Sequence, residues 1–480
     1  METIEARHLI AGRWEGEPVR ARANPARAGD TASLAARADA DTVDRALEGA
    51  VRAQREWAAM PPPERGAVLL RAATVLEGKL ETVARDLTRE EGKTIAEATG
   101  EVRRAVAILR FFGSEGWRLG GQTFPASGSD ALIYTRREAV GVVVAITPWN
   151  FPIAIPAWKT APALVAGNAV VLKPAALTPG TAFHLVSALV DAGIPAGVVS
   201  LVLGTGRDVG DRLVEDPRVA AITFTGSVTV GARLYGLAAP RRARVQLEMG
   251  GKNALVVLDD ADPTVAARIA AAGGFGLTGQ ACTATSRVIC TRAAAPRFIE
   301  AFVAESVRFA PGDGLDPATG MGPVVTAEQG AVNVSFLDEA RAAGSTVIAG
   351  PPGEGALLQP PTIVTGVRPD DRIAQEEVFG PVVGVIEVED LAEAIAVVNG
   401  SRYGLSAGIV TNDLAAVHRF SREARVGVVK VNQPTSGVEL NVPFGGVGDS
   451  STNTYREQGS VAVEFSTWTK SVYVSAPPWR

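Results

Sequence analysis

The residue of this sequence most open to chemistry is a cysteine set among small and polar neighbours. Cys282 lies in Gly279-Gln-Ala-Cys-Thr-Ala-Thr-Ser-Arg287, between an alanine-rich helical run and a short apolar strand. A packing cysteine sits in an apolar run, whereas a thiol in a flexible polar segment can meet a substrate as a nucleophile. Such a thiol needs an oxyanion donor and a proton acceptor. Asn150, in Thr147-Pro-Trp-Asn-Phe-Pro152, offers a rigid amide donor in a turn stiffened by two prolines, although an ordinary turn asparagine has the same surroundings. Glu248, in Leu247-Glu-Met-Gly-Gly251, follows an apolar approach that can raise a carboxyl pKa towards neutrality and suit it to general-base work. An ion-paired glutamate gives the same pattern.

Two glycine-rich turns bear on a nucleotide. Phe224-Thr-Gly-Ser-Val-Thr-Val-Gly231 passes from strand to turn to helix, which presents backbone N–H groups to a pyrophosphate. Gly204-Thr-Gly206-Arg-Asp-Val-Gly210 misses the dinucleotide fingerprint by one residue. With 51 glycines, chance turns compete with both readings. Lys173 ends a strand-like run, on the side where ligands bind parallel sheets, a place a solvated strand end also takes.

The elements that must position these residues follow from periodicity. After a short irregular or strand-like start, helices are predicted from Asp41 to Pro61, from about Glu64 towards Leu87, and from Thr94 to Trp117. Strands Val140–Ile146, Ala169–Leu172, Val198–Leu203 and Ala220–Phe224 alternate with helices that start at Thr178-Pro179 and span Val209–Val214, the pattern of a parallel sheet covered on both faces. After Glu248 the alternation restarts: strands 254–258 and 287–290, helices 263–272 and 296–309, and a last strand near Val428–Asn432. The tail from Val461 to Val474 alternates like an edge strand awaiting another subunit.

A chain of 480 residues exceeds a single core, so two or three domains are expected. Charged residues at 21% and a mean hydropathy of +0.14 describe a soluble globular protein. A net charge of −5 without basic runs argues against nucleic acid. The most apolar segment, 139–158, is broken by three prolines and cannot span a membrane as a regular helix. Two cysteines and no secretory signal suit the cytoplasm.

Six ordered motifs identify the chain as a member of the NAD(P)-dependent aldehyde dehydrogenase superfamily: Thr147-Pro-Trp-Asn-Phe-Pro, Phe224-Thr-Gly-Ser, Leu247-Glu-Met-Gly-Gly-Lys, Gly279-Gln-Ala-Cys, Glu376-Glu-Val-Phe-Gly-Pro and Pro443-Phe-Gly-Gly. The resemblance implies an α/β fold with two Rossmann-like domains and a small β oligomerisation element. The cofactor-binding domain is expected over 1–122 and 141–250, the catalytic domain over 251–433, and oligomerisation strands over 123–140 and 457–480, in a homodimer or homotetramer. It makes Cys282 the nucleophile, Glu248 the base and Asn150 the oxyanion donor, with no metal. Thr147, Trp149, Lys173, Ala176, Gly206, Gly210, Thr225, Gly226, Ser227, Gly231, Met249, Gly250, Glu377 and Phe379 are assigned to the dinucleotide, and Phe151 to the substrate.

NAD-preferring relatives often carry an acidic residue three positions after the lysine. Ala176 stands there, so NADP is favoured over NAD. The run Val431-Asn-Gln-Pro-Thr-Ser-Gly, Tyr455-Arg-Glu-Gln-Gly and Gly116-Trp-Arg-Leu-Gly-Gly-Gln-Thr is similar to α-ketoglutarate semialdehyde (2,5-dioxopentanoate) dehydrogenases, and Arg118 becomes the expected grip on a distal carboxylate. Succinate or glutarate semialdehyde, or a broad range of aldehydes, are the alternatives. Val447-Gly-Asp-Ser450 departs from the family by lacking its usual lysine. A thiol hydrolase would need a histidine base, and His8, His184 and His418 lie in no motif. Glu248 opposes acyl transfer to CoA. The intact trio of Cys282, Glu248 and Asn150 opposes a silent structural protein.

Overall fold

The computed structural model describes residues 2–127 and 130–475. The last five residues of the expected tail strand, and positions 128–129 of the other oligomerisation segment, lie outside the described residues.

Two seven-stranded sheets carry the fold. In the first, Arg244–Met249, Val219–Gly226, Val142–Ile146, Ala169–Lys173 and Val199–Leu201 lie side by side in parallel, and His8–Ile10 and Arg13–Glu15 extend it antiparallel. The strand order reverses between Val142–Ile146 and Val219–Gly226, and the crevice outside the carboxyl ends at such a point is where parallel sheets bind ligands. Alternate residues enter opposite cores: Val143, Ala145, Val170 and Leu172 pack on one face, Val142, Val144, Ile146 and Val171 on the other. Both faces are thus dry, which the near-continuous Val/Ile runs foreshadow.

The second sheet orders Thr346–Ala349, Thr362–Thr365, Val382–Val388, Arg287–Thr291, Ala254–Val257, Ser406–Val410 and Val428–Val431, parallel but for the first. Met249 ends a strand of the first sheet and Ala254 begins one of the second. The short crossing sets the carboxyl edge of one sheet against the amino edge of the other. Cys282 lies just before the strand that begins at Arg287, on that amino edge. A third, antiparallel sheet joins Thr123–Phe124, Leu132–Ala139 and Thr467–Val474, with Trp468, Tyr473 and Val474 exposed.

Helix ends follow local chemistry. Asp39 caps the Ala40–Ala59 helix through Thr42 N–H, and Met60-Pro61 stops it. Thr94 and Glu97 form a capping box on Ile95–Glu115. The sequence differs from the structure at three places. The long helix expected from Glu64 is two, Pro62–Gly78 and Leu80–Glu91, broken at Lys79 after a glycine. The helix expected over Val209–Val214 is a wide turn at Gly206–Gly210 followed by one short turn, Asp211–Glu215. Ala462–Phe465 is helical, and the strand begins only at Thr467. Three buried side chains in those four residues dock the helix on the first core, which outweighs the β-like alternation. No helix among the described residues is long and apolar enough to cross a membrane.

Candidate active site

The Cys282 loop is built from strained backbone held by neighbours. Leu277 and Thr278 adopt left-handed φ of 54° and 58°, and Gly279 follows at 65°. Such conformations cost about 1–3 kcal/mol each for non-glycine residues and persist only where the surroundings impose them. Here Glu97 accepts from the Leu277 N–H at 2.7 Å and Thr278 donates to the Gly322 carbonyl at 3.1 Å. A Cβ on Gly279 would strike the Gly380 carbonyl. Beyond the thiol, the Asn253 amide donates to the carbonyls of Cys282 at 2.8 Å and Ala284 at 2.9 Å, which fixes the exit to the Arg287 strand.

Asn150 leaves the first sheet directly after Val142–Ile146. Its side-chain amide donates to the Gln280 carbonyl at 2.9 Å, two residues from Cys282, and keeps its other N–H free of a protein partner. The turn is anchored by a fully buried Lys93, which donates to the Asn150 carbonyl at 2.6 Å and to Glu101 at 2.7 Å. Glu101 in turn accepts from Ile153 and Ala154 N–H at the head of the next helix, at 3.0 and 3.1 Å. Sequence reasoning missed Lys93, Glu101 and Asn253; each acts through space on a motif remote in sequence.

Glu248 ends the Arg244–Met249 strand. Ser451 donates to one of its carboxyl oxygens at 3.1 Å and the other has no partner. Burial, and then the neighbouring Glu457, hold its pKa well above the carboxylate range despite Lys159. Glu457 is itself ion-paired with the buried Lys159. In this conformation Glu248 sits behind Gly445 rather than on the walls around Cys282. Burial, followed by the charges of Glu377, Glu248 and Glu457, pushes the Cys282 thiol up to about 12.

Two cavities meet at Cys282, the one lining residue they share. The first, about 290 Å³, takes in Trp149, Asn150, Thr225, Gly226, Ser227, Met249, Gly250, Glu377 and Phe379 of the residues singled out from the sequence. Phe379, held at φ 58°, packs its ring edge-on to Trp149 with centroids 5.5 Å apart. Ser227 is the N-cap of the Val228–Ala238 helix. The glycines here are sterically required. A Cβ on Gly226 would meet the Phe224 ring, one on Gly231 the Met249 sulfur, and one on Gly250 the Glu377 carboxyl. The hydroxyls of Thr147 and Thr225 are buried without partners. Glu377 accepts from Gly251 N–H, and burial raises its pKa to about 7. Lys173 is buried at the end of its strand, and burial with Arg20 lowers it to about 8. Ala176 lies nearby in a small recess with Arg20, Arg37 and Gly204.

The second cavity, about 330 Å³, contains Phe151 with Trp158, Phe444, Val438 and Arg104. Glu248, Thr147, Lys173, Ala176, Gly206, Gly210, Gly231 and Arg118, all singled out from the sequence, line neither cavity. Gly206 and Gly210 lie in the wide turn, and a Cβ on either would meet nothing within 4 Å. Arg118, the expected carboxylate grip, lies outside both cavities. It is largely exposed at a helix end and paired with Glu115 at 2.5 Å, because the two lie three residues apart and face each other. The Val447-Gly-Asp-Ser450 departure is structural here. Asp449 pairs with Arg402 at 3.2 Å, and buried Ser450 donates to the Gly250 carbonyl at 2.7 Å.

Residues 15–472 match the model of the family described as the aldehyde dehydrogenase family. The chain is 45% identical to the α-ketoglutarate semialdehyde dehydrogenase of Haloferax volcanii, over 98% of this chain and 100% of that protein. It is 44% identical to the 2,5-dioxopentanoate dehydrogenase of Saccharolobus solfataricus, over 90% of this chain and 91% of that protein. It matches the crystal structure of a betaine aldehyde dehydrogenase point mutant from Staphylococcus aureus in complex with NAD+ at a TM-score of 0.95 and 30% identity, over 99% and 97% of the two chains.

Two predictions arise from the site. Replacing Lys93 by Met leaves the buried Glu101 carboxylate without its cation, so urea denaturation should show a loss of about 3–5 kcal/mol. An unchanged midpoint would mean that the pair anchors nothing. Because the Cys282 thiol is protonated at neutral pH, its alkylation by iodoacetamide should accelerate close to tenfold per pH unit between 7 and 9, followed by mass spectrometry of the Cys282 peptide. A pH-independent rate would contradict the raised pKa.

Proposed function

The chain belongs to the aldehyde dehydrogenase family, and on that premise we propose that it oxidises α-ketoglutarate semialdehyde to 2-oxoglutarate at Cys282 with NADP or NAD. The observation that carries the reading is the position of the thiol, alone common to the cleft that holds Trp149, Ser227, Glu377 and Phe379 and to a second cavity rich in aromatic rings. The names of the relatives at 45% and 44% identity supply the substrate. An enzyme of this kind suits the cytoplasm, as a homodimer or homotetramer joined through the exposed third sheet.

A dinucleotide fits the cleft. The orphaned Thr147 and Thr225 hydroxyls offer hydrogen bonds, and the Ser227 helix start suits a pyrophosphate. Lys173 and Glu377 would hold the riboses, and Trp149 and Phe379 would close over the cofactor. When bound, the nicotinamide accepts the hydrogen and electron pair lost by the aldehyde carbon.

The chain supplies the remainder. The Cys282 sulfur bonds to the aldehyde carbon, and its proton ends on the former carbonyl oxygen. The free Asn150 N–H and the Cys282 backbone N–H hold the developing oxyanion. Loss of that hydrogen and electron pair, with the hydroxyl proton passing to solvent, leaves an acyl thioester on Cys282. Glu248, turned from Ser451 towards the thioester, takes a proton from water as the water oxygen bonds to the acyl carbon. The carbon–sulfur bond then breaks, releasing the acid and the thiol.

Ala176 removes the acidic side chain that would repel a 2′-phosphate, and Arg20 and Arg37 share its recess. NADP is therefore the preferred partner of the two.

A pair of variants tests the chemistry. Cys282→Ala should form no NADPH from aldehyde, and turnover in it would end the assignment. Glu248→Gln should release a burst of one NADPH per site and then stall at the thioester. In the native enzyme, hydrolysis-limited turnover should rise with pH through a value above the ordinary carboxylate range, because a raised pKa keeps Glu248 protonated, and so unable to accept a proton, at lower pH. For the cofactor, kcat/KM should be higher with NADP than with NAD, and Arg37→Glu should invert the ratio. A native preference for NAD would reverse this part of the proposal.

A further inference from the structure

Resting on the reading that aldehydes are oxidised at Cys282, we infer that Arg104 is the residue that selects a substrate with a distal carboxylate. Glu97, Gly100, Glu101 and Arg104 recur at helical spacing on Ile95–Glu115 and present one face of that helix to the second cavity. Gly100 adds no bulk there: even a Cβ at its position would meet nothing within 4 Å. Among the other walls, Phe151, Ala154, Trp158, Val438 and Phe444 are apolar or aromatic, and Thr283 beside Cys282 adds a hydroxyl-bearing side chain.

Both carboxylates on this helix face are already committed. Glu101 binds Lys93 and the Ile153 and Ala154 N–H groups, while Glu97 binds Thr94 and the Leu277 N–H. Glu101 is ion-paired with Lys93, and both oxygens of Glu97 accept hydrogen bonds from the protein. Arg104 differs. Its guanidinium donates one hydrogen bond, to the neutral Gln458 amide oxygen at 2.7 Å. Among the described residues it has no ion pair, and Glu439 acts on it only at longer range.

Gln458 is fully buried and held at φ 58°, so it is placed by the fold rather than by its own preference. Its side-chain nitrogen has no partner. A half-buried guanidinium with most of its five donors unspent is incomplete without an anion. A carboxylate binds it through two parallel hydrogen bonds, and the aldehyde end of the same molecule then reaches Cys282 on the far wall. A neutral aldehyde would leave the charge unpaired, which penalises it and gives discrimination beyond attraction alone.

The test compares 2,5-dioxopentanoate with pentanal at saturating NADP for the native enzyme, Arg104→Gln and Arg104→Lys. Arg104→Gln should raise KM for the acid by on the order of 10²-fold with a small change in kcat, and keep or improve kcat/KM for pentanal. Arg104→Lys should recover part of the loss, since a point charge replaces the fork. Glutarate should protect the native Cys282 from alkylation and fail to protect Arg104→Gln. Equal losses on the two aldehydes would mark Arg104 as structural and overturn the inference. An unchanged KM for the acid would overturn it too, while leaving aldehyde oxidation standing. A native enzyme active on neither aldehyde would overturn the underlying reading and this one with it. If Arg104→Gln does not fold, the native enzyme decides: equal use of the acid and its methyl ester overturns the clamp.

Discussion

The site depends on one hydrogen bond between two sheets, from the Asn150 amide to the Gln280 carbonyl. Asn150 issues from the carboxyl edge of the first sheet and Gln280 from the amino edge of the second. Neither sheet alone could fix an amide donor beside the thiol. The bond is kept in place from behind by buried charges, because Lys93 holds the carbonyl of Asn150 while Glu101 holds the start of the following helix. A buried ion pair adds little net stability, yet removing either member is costly. That asymmetry suits a positioning device, since the geometry survives only while every partner is present.

The same burial sets the electrostatics. Burial first, and then the charges of Glu377, Glu248 and Glu457, raise the cost of charging the thiol, while burial and Glu457 do the same for Glu248. A resting thiol, rather than a thiolate, follows from this crowding. So does a protonated Glu248, whose second oxygen is unpartnered and would be far more expensive to bury as an anion. Lys159 pairs with Glu457, and Glu377 finds the Gly251 N–H and the distant pulls of Lys252 and Arg402. The surroundings thus disfavour the charged form of both nucleophile and base.

Much of this was legible in the sequence where chemistry and local structure coincide. The Val/Ile runs announced a sheet buried on both faces, and Cys282, Asn150, Glu248 and the Gly226–Gly231 turn stood in segments whose residue types state their own conformation. What escaped was fixed by contacts across the chain. Nothing near Lys93 indicates that its amine reaches a carbonyl 57 positions away. Asn253 directly follows a recognisable motif, yet its work is to hold two carbonyls of another loop. Gly206 and Gly210 looked like a fingerprint because spacing alone cannot tell a glycine required by close approach from one facing open space.

The two arginines make the limit concrete. Arg118 stands in a motif shared with a substrate class, and Arg104 in a plain helical run, so sequence favours the first. Charge accounting favours the second. Arg118 has a carboxylate three residues away and water around it, so a substrate would have to displace an existing partner. Arg104 has neither carboxylate nor full solvent, and it shares a cavity with Cys282. The helical spacing of Glu97, Gly100, Glu101 and Arg104 was visible beforehand as one face of a helix. What it lacked was the knowledge that both glutamates are consumed by backbone N–H groups and Lys93. Once those bonds are counted, Arg104 is the group on this face whose donors are left over for a substrate on the far side of the thiol from the dinucleotide cleft.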